Sequence, residues 1–85
     1  MGKAEHVVEL GAEIWPLVAP RLAGQPPELQ SAVLADLAAR WLAGHVCPGD
    51  RKATKRLRRK LLAQYVQLVH DLVEPNAKQA GTWFA

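Results

Sequence analysis

Hydrophobic positions recur every three or four residues in three segments of this chain, a pattern that predicts three helices and no strands. The predicted helices span about 3–22, 27–43 and 51–73. Short connections between helices that each carry one apolar face favour a small antiparallel three-helix bundle. We therefore expect an all-α fold with a single domain over 1–75 and a short aromatic C-terminal tail over 76–85.

Prolines complicate the first helix and help to delimit the other two. Pro16 and Pro20 each remove a backbone donor from the first helix, so it either bends there or ends near Trp15 and restarts; we favour a Pro-bent helix. Pro27 suits the first position of the second helix. The pair Glu74-Pro75 is expected to end the third helix.

The connection before the third helix carries turn and cap residues. Gly44 is expected to end the second helix in a left-handed conformation. Pro48-Gly49 is typical of a turn, and Asp50 is a favourable N-cap for the helix that follows.

Composition indicates one small globular domain: the chain has 85 residues, of which 49% are hydrophobic and one is a cysteine. A single cysteine cannot form an intramolecular disulfide. Neither a signal-peptide core nor a membrane-spanning run is recognisable, because Glu5, Glu9 and Glu13 interrupt the apolar N-terminal segment. These features predict a cytoplasmic protein that does not contact a membrane.

The positive charge is concentrated at the start of the third helix, where residues 51–60 contain seven cations and no acid. These cations are Arg51, Lys52, Lys55, Arg56, Arg58, Arg59 and Lys60. They oppose the helix macrodipole, and Arg58 falls on the apolar side of the helix. We therefore expect the first turns of this helix to project beyond the core, with basic side chains on nearly every side.

Three functional interpretations of this basic run remain open. The leading one is a non-enzymatic binding module that contacts nucleic-acid phosphates, in a layout with a loose likeness to a helix-turn-helix. The alternative is a protein-interaction module, such as a small regulator, inhibitor or assembly subunit of the kind that phages and mobile elements encode. It would meet an acidic protein surface, with Trp83 and Phe84 either anchoring the partner or capping the core. The third interpretation is a solvated helix face.

Acidic residues form a stripe on the first helix at Glu5, Glu9 and Glu13. Three interpretations of this stripe are open. It pairs with the basic run of the same chain, it pairs with another copy in a homo-oligomer, or it only keeps the surface soluble. No grouping predicts catalysis, a metal or a cofactor. His45 and Cys47 lie two residues apart, but a structural zinc site needs four ligands.

Overall fold

The computed structural model describes residues 2–80, and these residues form three α-helices without a strand. Helix α1 is Lys3–Leu22, α2 is Pro27–Ala43 and α3 is Arg51–Ala80. The all-helical prediction is confirmed, as are both ends of α1 and α2 and the start of α3. The predicted aromatic tail residues Trp83 and Phe84 lie outside the described residues.

Local sequence signals account for these boundaries. Pro27 occupies the first turn of α2, where its missing donor costs nothing. The Pro48-Gly49 turn is closed by the Asp50 amide, which donates to the Cys47 carbonyl at 3.0 Å. Gly49 has φ +77°, a conformation that side-chain-bearing residues rarely adopt. The Asp50 carboxylate then caps α3 by accepting the Ala53 amide at 2.9 Å.

The prediction of a left-handed cap at Gly44 is wrong, because this residue has φ −72° and ψ −13°. Its amide donates to the Arg40 carbonyl as in an ordinary α-helical turn, and the His45 amide donates to the Leu42 carbonyl at 3.0 Å, so the chain leaves α2 without left-handed backbone. Helix α1 is continuous through Pro16 and Pro20, which excludes a break after Trp15. A bend at these prolines stays a prediction.

The predicted end of the third helix at Val73 is also wrong, because α3 continues through Pro75 to Ala80. A proline inside a helix removes one backbone donor and weakens the ladder around it. Here the Asn76 side-chain amide donates to the Leu72 carbonyl at 2.8 Å. Pro75 removes the amide that would donate to the Asp71 carbonyl, and the Asn76 hydrogen bond is made to the next carbonyl along. The helix continues into the segment predicted to be a tail.

Contacts between helices are unevenly distributed. Helices α2 and α3 form the principal contact, and α1 makes no comparable contact with either. Helix α1 is anchored at its C-terminal end, where Leu22 is only 3% exposed and its carbonyl accepts the Gln30 side chain at 2.9 Å. A closed antiparallel three-helix bundle is therefore not confirmed. The radius of gyration is 15.2 Å, against about 12 Å for a compact domain of this length.

The expectation that the first turns of α3 project beyond the core is wrong. Thr54 is buried, Leu57, Arg58 and Leu61 are half-buried, and the residues from Leu62 onward are exposed as far as burial is described. Helix α3 has 30 residues and α2 has 17, about 45 Å and about 25 Å of helix respectively. Because the connecting loop seats the N-terminal half of α3 against the end of α2, the C-terminal half is the one that projects.

Candidate nucleic-acid interface

Six of the seven predicted cations lie on one exposed side of α3, which we call the basic arc. It consists of Arg51, Lys52, Lys55, Arg56, Arg59 and Lys60, all of which are exposed. At about 100° per residue these six side chains span roughly half of the helix circumference. The remaining side holds Ala53, Thr54, Leu57 and Leu61, which are buried or half-buried. The run is therefore basic on one half of the helix rather than on nearly every side.

Arg58 differs from the other six cations because it is half-buried and its guanidinium is hydrogen-bonded to backbone carbonyls of the chain. Its Nε donates to the His45 carbonyl at 3.1 Å, and its Nη2 donates to the Ala43 carbonyl at 2.9 Å. Carbonyls at the end of a helix have no partner within that helix, and a cation also complements the negative end of its dipole. Arg58 thus joins α3 to the C-terminal end of α2, and this geometry explains a cation on the apolar side.

Thr54 is the polar residue at this junction that sequence reasoning missed. It is 8% exposed, and its hydroxyl accepts the Cys47 amide at 2.9 Å. The same hydroxyl lies 2.9 Å from the Asp50 carbonyl and 3.3 Å from the Cys47 carbonyl, to either of which it donates. A signal was present in the sequence, since Thr54 is three residues before Leu57 and therefore shares its side of the helix.

The charges of the basic arc are not neutralised within the described part of the chain. Between residues 2 and 80, the salt bridge that forms joins Asp36 to Arg40 at 2.7 Å on the surface of α2. This carboxylate raises the pKa of Arg40 by hydrogen bonding and by its charge. The acidic stripe of α1, Glu5, Glu9 and Glu13, is exposed and forms no ion pair with the basic run. The first turn of α3 contains no acid.

An open cleft of about 390 Å³ lies where the loop meets α3. Its lining consists of Val46, Cys47, Gly49, Asp50, Arg51, Thr54, Lys55 and Arg58. The Asp50 carboxylate caps the helix, Thr54 closes the loop, and Arg58 holds the end of α2. Arg51 and Lys55 therefore supply the exposed charges at the rim, where they continue the basic arc.

The other residues considered for chemistry are dispersed or have structural contacts. His45 Nδ1 lies 2.9 Å from the Trp41 carbonyl, and its ring meets the Trp41 ring edge-on at 5.3 Å. Cys47 is a half-buried free thiol. Within the described residues, no three His, Cys, Asp or Glu side chains converge in a way that could hold a metal ion.

The chain matches no family model, and no curated protein or solved structure is significantly similar to it. No helix in residues 2–80 is both long and apolar enough to cross a bilayer.

Proposed function

We propose that this chain is a small non-enzymatic binding module of the cytoplasm whose basic arc contacts nucleic-acid phosphates. The observation that carries the proposal is the set of six exposed cations on one side of α3, with no acidic partner in the described chain. Like charges at this density repel one another, and an anionic polymer would relieve that repulsion. Lys and Arg side chains contacting phosphates supply most sequence-independent affinity for nucleic acid.

The shape of the arc supports a helix lying along a groove. The ten residues of the run cover about 15 Å of helix, and a major groove about 12 Å wide admits one α-helix. Cations over half of the circumference can reach the phosphates on both sides of that groove. Beyond its cations the run holds Ala53, Thr54 and Leu57, so it offers no Asn or Gln to read adenine and no aromatic side chain to stack on bases, and we expect its arginines to contact phosphates. The expected binding is weakly sequence-dependent and strongly salt-dependent.

A protein-interaction module remains the second candidate because a specific observation favours it. Large apolar side chains are exposed directly after the basic arc, including Leu62 at 45% and Val66 at 47%. An acidic protein with an adjoining apolar patch would match both features, and Trp83 and Phe84 would serve as its anchor in this proposal. Such a partner would make the chain a regulator, an inhibitor or an assembly subunit.

Charge reversal within the arc tests the leading proposal. The variant carries Arg56→Glu, Arg59→Glu and Lys60→Glu, all on exposed positions away from the packed side of α3. Its matched control carries Lys3→Glu, Arg21→Glu and Lys78→Glu, which are also exposed and give the same net charge. Binding to labelled mixed-sequence duplex is measured by fluorescence anisotropy at low salt, with circular dichroism as the check on folding.

The arc variant should bind on the order of a hundredfold more weakly, because each lost phosphate contact removes one released counterion and each new Glu adds repulsion. The control variant should lose far less affinity for the duplex. Equal losses of affinity in both variants would mean that binding depends only on net charge, which would contradict a defined arc. If the wild-type chain fails to bind duplex or single strand at low salt, the acidic-protein alternative replaces the proposal.

A further inference from the structure

The C-terminal half of α3 carries two apolar columns side by side, each with the 4-3-4 spacing of a helix-packing seam. The first column is Leu61, Tyr65, Leu68 and Leu72, and the second is Leu62, Val66, Val69 and Val73. We call the second column the free seam. A helix with two adjacent columns is built to pack against two neighbours.

The N-terminal end of the first column already has a neighbour in the chain, whereas Leu68 further along it is 56% exposed. The Tyr65 ring lies 5.9 Å from the ring of Trp41 on α2, and Leu61 is half-buried at the same junction. The free seam has no such neighbour among the described residues. Leu62, Val66, Val69 and Val73 are exposed by 45%, 47%, 45% and 55%. Exposure along the whole column is expected of a helix side with nothing packed on it.

The exposed area is that of a chain missing a large interface. The chain exposes 7241 Å², whereas a compact monomer of 9.3 kDa exposes about 5,000 Å². The excess is about 2,200 Å² per chain, so covering only part of it on each of two copies would reach the roughly 1,200–2,000 Å² buried in a stable interface. Helix α1 contributes to this excess, since Leu17 is 73% exposed and Ile14 is 54% exposed.

We propose that two copies of this chain form an antiparallel, two-fold symmetric dimer in which the free seams of their α3 helices pack together. A two-fold axis makes the same patch serve on both copies, and a continuous column of Leu and Val is complementary to itself. The antiparallel direction follows from charge. Parallel α3 helices would bring two basic arcs side by side, whereas antiparallel ones place them at opposite ends of the interface.

In this arrangement Leu62 of one copy faces Val73 of the other, and Val66 faces Val69. The seam begins after Lys60, but the partner's α3 continues to Ala80, so in this register its last turns lie beside Arg59 and Lys55. The other four cations of the basic arc stay uncovered. The dimer therefore stands independently of the proposed nucleic-acid binding, and neither result decides the other.

Sedimentation equilibrium of the full chain over a wide concentration range tests the dimer. The expected mass is twice 9.3 kDa for the wild-type chain and 9.3 kDa for a variant with Val66→Glu and Val69→Glu. The matched control places Gln64→Glu and Gln67→Glu on the side of the same helix turns that faces away from the seam, and it should remain dimeric. A wild-type monomer at every concentration would overturn the proposal, as would a dimer that survives both seam substitutions.

A gentler variant separates loss of the seam from loss of the helix. Val66→Ala with Val69→Ala raises helix propensity while removing apolar surface, so circular dichroism should be retained as the dimer weakens at least tenfold. An undiminished dimer in this variant would contradict the seam.

Cross-linking tests the direction, in a Cys47→Ser background. Leu62→Cys combined with Val73→Cys should form disulfide-linked dimers, and Leu62→Cys alone should not. The two engineered positions are about 16 Å apart along one helix and cannot pair within a chain. Cross-linking of the single variant would contradict the antiparallel arrangement.

Discussion

The two halves of α3 differ in what they offer a partner. The N-terminal half is fixed to the rest of the chain, with Thr54 buried and Arg58 hydrogen-bonded to carbonyls at the end of α2. It presents charge on its outer side. The C-terminal half extends past α2 and presents Leu62, Val66 and Val69 instead. One half is therefore suited to an anionic polymer and the other to an apolar helix.

The comparison shows that a dense basic run does not by itself push a helix away from its core. A small set of residues between the cations, Ala53, Thr54 and Leu57, is enough to seat the helix because they share one side. The cations then occupy what remains. In the other half the apolar columns extend further along the helix than α2 can reach, since α2 is about 20 Å shorter than α3.

Of the substitutions at the junction between α2 and α3, removal of the Thr54 hydroxyl should lower the free energy of unfolding most. Thr54→Val keeps the volume but leaves the Cys47 amide without its acceptor, so the free energy of unfolding should fall by about 2 kcal/mol. Thr54→Ser keeps the hydroxyl and serves as the control, with a loss of less than about 1 kcal/mol. Urea unfolding followed by circular dichroism measures both. Equal stability of the valine variant and the wild type would contradict the junction described here.

Substitution of the two neighbouring arginines, Arg58 and Arg59, should have smaller effects on stability that differ between them. Arg58→Gln removes donors from the Ala43 and His45 carbonyls and should cost about 1 kcal/mol of stability. Arg59→Gln is on the exposed arc and should change stability by less than about 0.5 kcal/mol, while weakening duplex binding several-fold at low salt. Thermal melts and anisotropy titrations of both variants make the comparison. If Arg58→Gln lost more affinity than Arg59→Gln without losing stability, their assigned roles would be reversed.

The helix boundaries were predictable where one residue determines them locally. Pro27, the Pro48-Gly49 turn and Asp50 act within a few residues of themselves, and each is found in its predicted role. The end of α3 was not predictable from Pro75 alone, because a proline removes only one backbone donor and α3 continues through it to Ala80.

The candidate site was predictable as a set of cations and not as a surface. The sequence places seven cations in ten residues, but it does not show that Arg58 binds carbonyls contributed by α2. That role depends on where two distant segments meet. The same limit applies to the acidic stripe of α1, whose pairing with the basic run was one interpretation and is absent among residues 2–80.

The salt dependence of duplex binding by the wild-type chain tests the central claim most directly. Fluorescence anisotropy of a labelled mixed-sequence duplex is measured at several salt concentrations. The basic arc predicts micromolar binding at low salt and a log–log slope of about −4 to −5, which corresponds to about five phosphate contacts. Absence of binding at low salt, or binding with a slope near zero, would contradict the assignment of the arc to nucleic-acid phosphates.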